Sequence, residues 1–268
     1  MMIASLPMYD LPELRTATDA WWSGMAAALR RAGIDAVPDQ LTRVDNIAAV
    51  WRDPNLLLSQ TCGYPLVREM ADILQPVATP IYDAPGCDGP NYSSAIVISA
   101  ERSVDHISAL RGGVCATNGR DSQSGYNCLR AFLSPLTGGK PFFARVIETG
   151  SHARSLEMVS RGEADVCAID CVTHTLLSRH RPQALANTRI LGYTSRAPGL
   201  PYVTQASATL DLVYRLREGV MAAFADPSLT NAREALLLVG AEVLDVDSYE
   251  GILAMEAAAQ AQGYNELC

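Results

Sequence analysis

Five short stretches carry the residues best suited to chemistry. They are Pro7-Met8-Tyr9-Asp10, Ser59-Gln60-Thr61-Cys62-Gly63-Tyr64-Pro65, the run from Asn118 through Ser122, Ser124 and Gly125, Thr149-Gly150-Ser151-His152, and Asp170. Each follows a short apolar or β-branched run, where a strand hands over to the next segment. Glycine and small hydroxyl residues at such a junction expose backbone N–H groups at the first turn of a helix, and the helix dipole adds partial positive charge. That is the chemistry of holding a small oxyanion. A neutral imidazole at His152 can donate one hydrogen bond to a ligand oxygen, and a protonated one adds charge. Tyr9, Tyr64 and Tyr92 offer hydroxyls and apolar ring faces to close around it.

Each of these residues also has a structural role open to it. Ser122, Ser124, Ser151 and Asp170 have the side chains of helix N-caps, His152 that of a capping or surface residue, and the tyrosines those of partly buried core residues. The case for a site rests on five junctions falling on one edge. Other constellations are weaker. Cys167, Cys171 and His174 lack a fourth ligand for a metal site, and Cys171 with a His is only a weak pattern for a thiol nucleophile. Thr137-Gly138-Gly139-Lys140-Pro141 lacks P-loop spacing and reads as a turn. No metal and no cofactor is expected.

These junctions need strands and helices to position them. The pattern predicts strands at residues 3–6, 55–59, 77–81, 94–99, 113–117, 144–149, 166–169 and 189–193. Helices are predicted at residues 13–32, 65–74, 124–133, 154–161 and 171–178. After Pro201 the chain reads as mostly helical, near residues 210–224, 231–239 and 248–261. Strand–helix alternation implies mostly parallel sheets flanked by helices. The expected layout is two-lobed. Residues 1–98 with 194–268 form one lobe and 99–193 the other, with two crossover segments making a hinge and a ligand cleft between the lobes.

Composition agrees with a globular protein of this size. The chain has 268 residues, 49% of them hydrophobic, and a net charge of −8. That charge argues against nucleic acid as a partner, because phosphate backbones require clustered Lys and Arg. It leaves a single small anion open, since backbone N–H groups can hold one. Seven cysteines cannot all be paired. Cys62 and Cys87, each beside a glycine, either pair with one another or stay reduced, and Cys115 and Cys167 read as core residues. No stretch is long and apolar enough to read as transmembrane. Met1 to Leu6 reads as a first strand, so the chain as written suggests a cytoplasmic location.

The chain resembles the phosphate/phosphite/phosphonate substrate-binding proteins of ABC transporters. The matching stretches are residues 5–10, 58–65 and 86–89, Asn118 with residues 122–127, residues 149–152, 162–166 leading to Ile169-Asp170, and 198–201. The resemblance implies a type II periplasmic-binding fold and a solute-binding protein rather than an enzyme. It implies that Ser122, Ser124 and Gly125 hold the phosphoryl oxygens from one lobe and that His152 is the pocket histidine. Tyr9, Ser59 and Gln60 would contribute from the other lobe, and Tyr64, Tyr92 and Asp170 would line the walls. It implies a monomer with a small oxyanion ligand (phosphate, phosphite or a phosphonate), an ABC permease as partner and a periplasmic location. Rival readings are an enzyme on the same fold, of the menaquinone-route or thiamine-precursor type, and a ligand-responsive sensor.

Overall fold

The computed structural model describes residues 2–268. The chain forms two compact units, residues 1–83 with 198–249 and residues 84–197 with 250–268. Each unit contains one five-stranded sheet.

In the first unit the strand order is Ile3–Ser5, Leu56–Gln60, Tyr202–Gln205, Leu74–Tyr82, Leu238–Glu242. The first two strands run parallel, and the remaining pairings are antiparallel. The sheet is therefore mixed rather than mostly parallel. Helix Arg15–Arg31 buries Trp21, Trp22, Met25 and Leu29 on one face. It stops at Gly33, whose φ of +86° is open to glycine, while the Ile34 N–H closes back on the Leu29 carbonyl at 3.1 Å. Helix Leu210–Ala225 packs against it. Gly219 makes that approach possible, because a Cβ there would lie 2.9 Å from the Leu29 Cα.

In the second unit the order is Arg145–Glu148, Val114–Thr117, Val166–Asp170, Ser94–Ser99, Thr188–Tyr193. The first three strands are parallel, and Ser94–Ser99 runs antiparallel to both of its neighbours. Ile96, Ile98, Leu129, Leu133, Phe142 and Val166 form part of its core. The C-terminal helix Glu250–Ala261 packs on helix Cys128–Thr137. Buried Arg130 ties the two, donating to the Asn265 carbonyl at 2.7 Å and lying 3.5 Å from Glu256.

These contacts correct the boundaries read from the sequence. Strand Ser94–Ser99 belongs to the second unit because both its edges are paired there. The C-terminal segment joins it because Tyr264 and Leu267 fill its core. The chain consequently passes between units three times, not twice. The stretch after Pro201 holds two strands that apolar spacing does not reveal. Tyr202–Gln205 is short and sits third in its sheet, and Leu238–Glu242 follows helix Thr230–Ala235, where residues 231–239 read as a single helix. Among the described residues no helix is long and apolar enough to cross a membrane.

Candidate functional site

Three parallel strands of the second unit direct their carboxyl ends to one edge, and each is followed by a helix with a side-chain cap. Ser122 accepts from the Gly125 N–H at 3.0 Å and Ser151 from the Arg154 N–H at 3.3 Å, while Asp170 accepts from the Thr173 N–H at 2.8 Å. The capping roles open to these three residues are thus realised. Two neighbouring loops are fastened together. The Thr149 N–H donates to the Thr117 carbonyl at 2.8 Å and the Gly150 N–H to the Asn118 carbonyl at 3.1 Å. That fastening carries His152, at the start of helix His152–Ser160, toward the neighbouring helix start.

Ser124 caps nothing. Its Oγ lies 2.9 Å from His152 Nε2 and 3.4 Å from Ser122 Oγ. Its carbonyl accepts from Ser94 Oγ at 2.9 Å, and the Gly125 carbonyl accepts from Thr117 Oγ1 at 2.9 Å. The first turn, Gln123–Asn127, is wide, closing with the Asn127 N–H on the Ser122 carbonyl at 3.0 Å before the regular helix Cys128–Thr137 begins. Gly125 is required by space, because a Cβ there would fall 1.8 Å from Asn118 Oδ1 and 3.3 Å from His152 Cε1.

Two polar atoms at this edge have spare capacity. His152 Nδ1 and Asn118 Oδ1 are both buried and make no hydrogen bond within the protein. Such atoms are uncommon in folded proteins and call for an explanation. Burial lowers the His152 pKa from 6.5 to about 4, so the imidazole is neutral at pH 7. A neutral ring beside a helix N-terminus favours an incoming anion through donors rather than through a fixed charge.

The structure brings Asn118, Ser122, Ser124, Gly125 and His152 together and sets Asp170 on the adjoining parallel strand of the same sheet. Tyr92, also in this unit, is buried in strand Asn91–Tyr92. Tyr9, Ser59, Gln60 and Tyr64 belong to the first unit, where they are buried and engaged. Tyr9 packs edge-on against Tyr82 with centroids 5.0 Å apart. Gln60 Nε2 donates to Tyr82 Oη and to the Leu200 carbonyl, each at 3.0 Å. Ser59 Oγ lies 3.4 Å from the Gln60 carbonyl, and Tyr64 Oη accepts from Arg68 at 2.9 Å.

Sequence reasoning missed Ser94 and Thr117, whose hydroxyls hold the Ser124 and Gly125 carbonyls. Ser94 and Thr117 lie inside strands, where a hydroxyl gives no positional signal. A hollow of about 260 Å³ in the first unit is lined in part by Ser5, Pro7, Asp10 and Arg43. The Arg43 charge there is already engaged by Asp10 at 2.5 Å and Asp19 at 2.8 Å. Among the described residues no cluster of three or more His, Cys, Asp or Glu could hold a metal ion.

Residues 55–249 match the family model described as ABC transporter, phosphonate, periplasmic substrate-binding protein. The chain belongs to this family. Members of the phosphonate-binding family are solute-binding proteins rather than enzymes. No curated protein matches the chain. Solved structures agree in fold. A binding-protein component of an ABC phosphonate transporter from Pseudomonas aeruginosa has a TM-score of 0.79 at 14% identity, with 97% of this chain and 87% of that one covered. PhnD1 from Prochlorococcus marinus, solved in complex with methylphosphonate, has a TM-score of 0.76 at 15% identity over 97% and 98%. A Xanthomonas citri protein bound to ATP has a TM-score of 0.71 at 17% identity over 97% of each chain. At these identities the likeness establishes the shared two-unit α/β fold with mixed sheets flanked by helices.

Proposed function

We propose that this phosphonate-binding family member holds a small phosphorus oxyanion, a phosphonate, phosphite or phosphate, at the edge formed by Asn118, Ser122, Ser124, Gly125 and His152, and delivers it to an ABC permease. The observation that carries this reading is the pair of buried, unpartnered atoms, His152 Nδ1 and Asn118 Oδ1, beside a helix N-terminus. The early N–H groups of the helix and the Ser122 hydroxyl donate to the ligand oxygens, and Ser124 Oγ donates to His152 Nε2, which leaves the single proton of the neutral ring on Nδ1 for the ligand. His152 Nε2 and Ser124 Oγ hold one another in register. Asn118 Oδ1 is an acceptor, as is the carboxylate of Asp170, so the best ligand keeps one proton on oxygen, or an ammonium, to offer them.

The Ser124–His152 pair has nucleophile–base spacing, which raises hydrolysis as a second reading. Nucleophilic serine needs its histidine oriented by a third group, normally a carboxylate on the other ring nitrogen. Here His152 Nδ1 has no such partner, which favours binding over turnover.

The test is a thermal-shift panel of phosphate, phosphite, methylphosphonate, 2-aminoethylphosphonate, sulfate and small carboxylates, each followed by recovery of the ligand. Binding to the folded state adds about 2.7 kcal/mol at a hundredfold excess over Kd. We expect a clear shift with a phosphorus oxyanion, which is recovered unchanged. His152→Ala weakens binding by about 10- to 100-fold, as loss of a hydrogen bond to a charged group does. Ser124→Ala weakens it too, because Nε2 then loses the donor that leaves the ring proton on Nδ1. No shift with any phosphorus oxyanion, in protein free of carried-over ligand, removes the assignment. A ligand returned chemically altered moves it to the enzyme.

A further inference from the structure

We infer that Cys87 and Cys171 form a thiol–disulfide modification site that staples the turn at Gly86 to the start of helix Cys171–His180. Their sulfurs lie 3.5 Å apart, although 84 positions separate them in sequence. The backbone already links the two carriers. The Cys171 N–H donates to the Ser93 carbonyl at 3.1 Å, and Ser93 Oγ donates to the Gly86 carbonyl at 2.9 Å. The Cys87 N–H closes its own turn on the Ala84 carbonyl at 2.9 Å. Bringing the sulfurs to bonding distance, about 2.05 Å, therefore asks for side-chain adjustment rather than rearrangement of the chain.

Gly86 is the third component. Its φ is +105°, and a Cβ there would lie 3.0 Å from the Cys171 Cβ and 2.7 Å from Ser93 Oγ. A glycine is what allows the turn to come this close to the helix start. Accessibility then sets the order of events. Cys87 is partly exposed, whereas Cys171 is buried. Cys115 and Cys167 are buried in the sheet core.

The oxidant is a low-molecular-weight disulfide such as oxidised glutathione. The Cys87 thiolate attacks one of its sulfurs, forming a mixed disulfide and releasing one thiol. Cys171 then loses its proton and attacks the Cys87 sulfur, releasing the second. Two cysteine thiols and one small disulfide become one protein disulfide and two small thiols, so atoms and electrons balance. The product closes a long loop and restrains the unfolded chain, which raises Tm by about 5 °C or more. It also fixes residue 171 beside Asp170, whose strand pairs with Ser94. The inference stands on this geometry alone and does not depend on which ligand the protein binds.

The experiment treats the reduced, folded, full-length protein with oxidised glutathione, blocks remaining thiols, and maps the peptides by mass spectrometry. The expected product joins the Cys87 peptide to the Cys171 peptide, with loss of two thiols and full reversal by dithiothreitol. In Cys171→Ser the reaction stops at glutathione on Cys87. In Cys87→Ser the Cys171 thiol stays unmodified. Three results would each overturn the proposal: glutathione retained on Cys87 of the wild-type protein with Cys171 still a thiol, a link from Cys87 to another residue such as Cys62, or no reaction at Cys87.

Discussion

The two units put chemically similar residues near their strand ends and use them in opposite ways. In the first unit Gln60 donates both amide hydrogens internally, to Tyr82 and Leu200, and Trp21 Nε1 donates to Tyr202 Oη at 3.1 Å. Tyr9, Gln60, Tyr82 and Tyr202 surround a hollow of only about 20 Å³, space for about one water. In the second unit Ser124 and His152 are held in place, but His152 Nδ1 and Asn118 Oδ1 are left without a protein partner. The contrast separates a polar network closed on itself from one with hydrogen-bonding capacity left over, which the proposed function assigns to a ligand. Buried polar groups are present in both, and Thr204 Oγ1 in the first unit is also unpartnered, so what marks the second unit is that His152 Nδ1 and Asn118 Oδ1 lie together at one helix start.

The largest test of this contrast is Trp21→Ala. Trp21 is buried, stacks edge-on with Phe224 at 4.8 Å and anchors Tyr202. Truncating a buried tryptophan costs about 3–5 kcal/mol of stability. All three tryptophans, Trp21, Trp22 and Trp51, lie in the first unit, so a urea titration followed by emission of the remaining two reads its unfolding. The expected result is a large loss of stability with ligand affinity unchanged in the folded protein. A large affinity loss in a stable Trp21→Ala protein would end the division of labour.

Next in size is a pH effect confined to the second unit, which holds all four histidines, at 106, 152, 174 and 180. His152 titrates at about 4 in the fold and near 6.5 when unfolded. As pH falls below 6.5 the unfolded chain takes up the proton first, so stability declines progressively down to about pH 4 and is insensitive to this residue above 6.5. The gap corresponds to about 3 kcal/mol. Burial shifts His174 in the same direction, so the cleanest reading is a difference between proteins. Stability measured at pH 7 and pH 4 should change by about 3 kcal/mol less in His152→Gln than in the wild type. Equal pH dependence in the two would show that His152 is not held neutral by the fold.

Much of this was legible before the structure. Residues 94–99 read correctly as a strand, because Ala95, Ile96, Val97 and Ile98 form a short β-branched run buried on both faces. The long helix near residue 15 was equally plain, from apolar spacing and the glycine stop. Gathering of Ser122, Ser124, Gly125 and His152 was anticipated from strand ends and family resemblance together. What escaped was set by tertiary contact. Tyr202–Gln205 is four residues long and is a strand because Leu56–Gln60 and Leu74–Tyr82 flank it. The unit boundary near residue 84 followed from pairing partners distant in sequence. Cys87 carried no sign that its neighbour would be Cys171 rather than Cys62, since only the fold brings residue 171 within reach.

The finest test of the comparison is Asn118→Ala, because spare capacity predicts effects of opposite sign. A buried acceptor without a donor costs the folded protein part of its desolvation energy, about 1–3 kcal/mol. Removing it relieves that cost while losing the packing of a few atoms against Gly125. The ligand-free protein should therefore keep its stability or gain up to about 1 kcal/mol. A ligand that offers a donor to Oδ1 loses that hydrogen bond, so its affinity should fall by about tenfold, the worth of one neutral bond. Urea titration without ligand and calorimetric titration with the best phosphorus oxyanion measure the two quantities separately. A residue whose polar atoms serve the fold shows the reverse, losing stability and keeping affinity. That pattern at Asn118 would move it, with the helix start it touches, into the same class as Gln60 and leave the proposed site with Asp170 as its remaining acceptor.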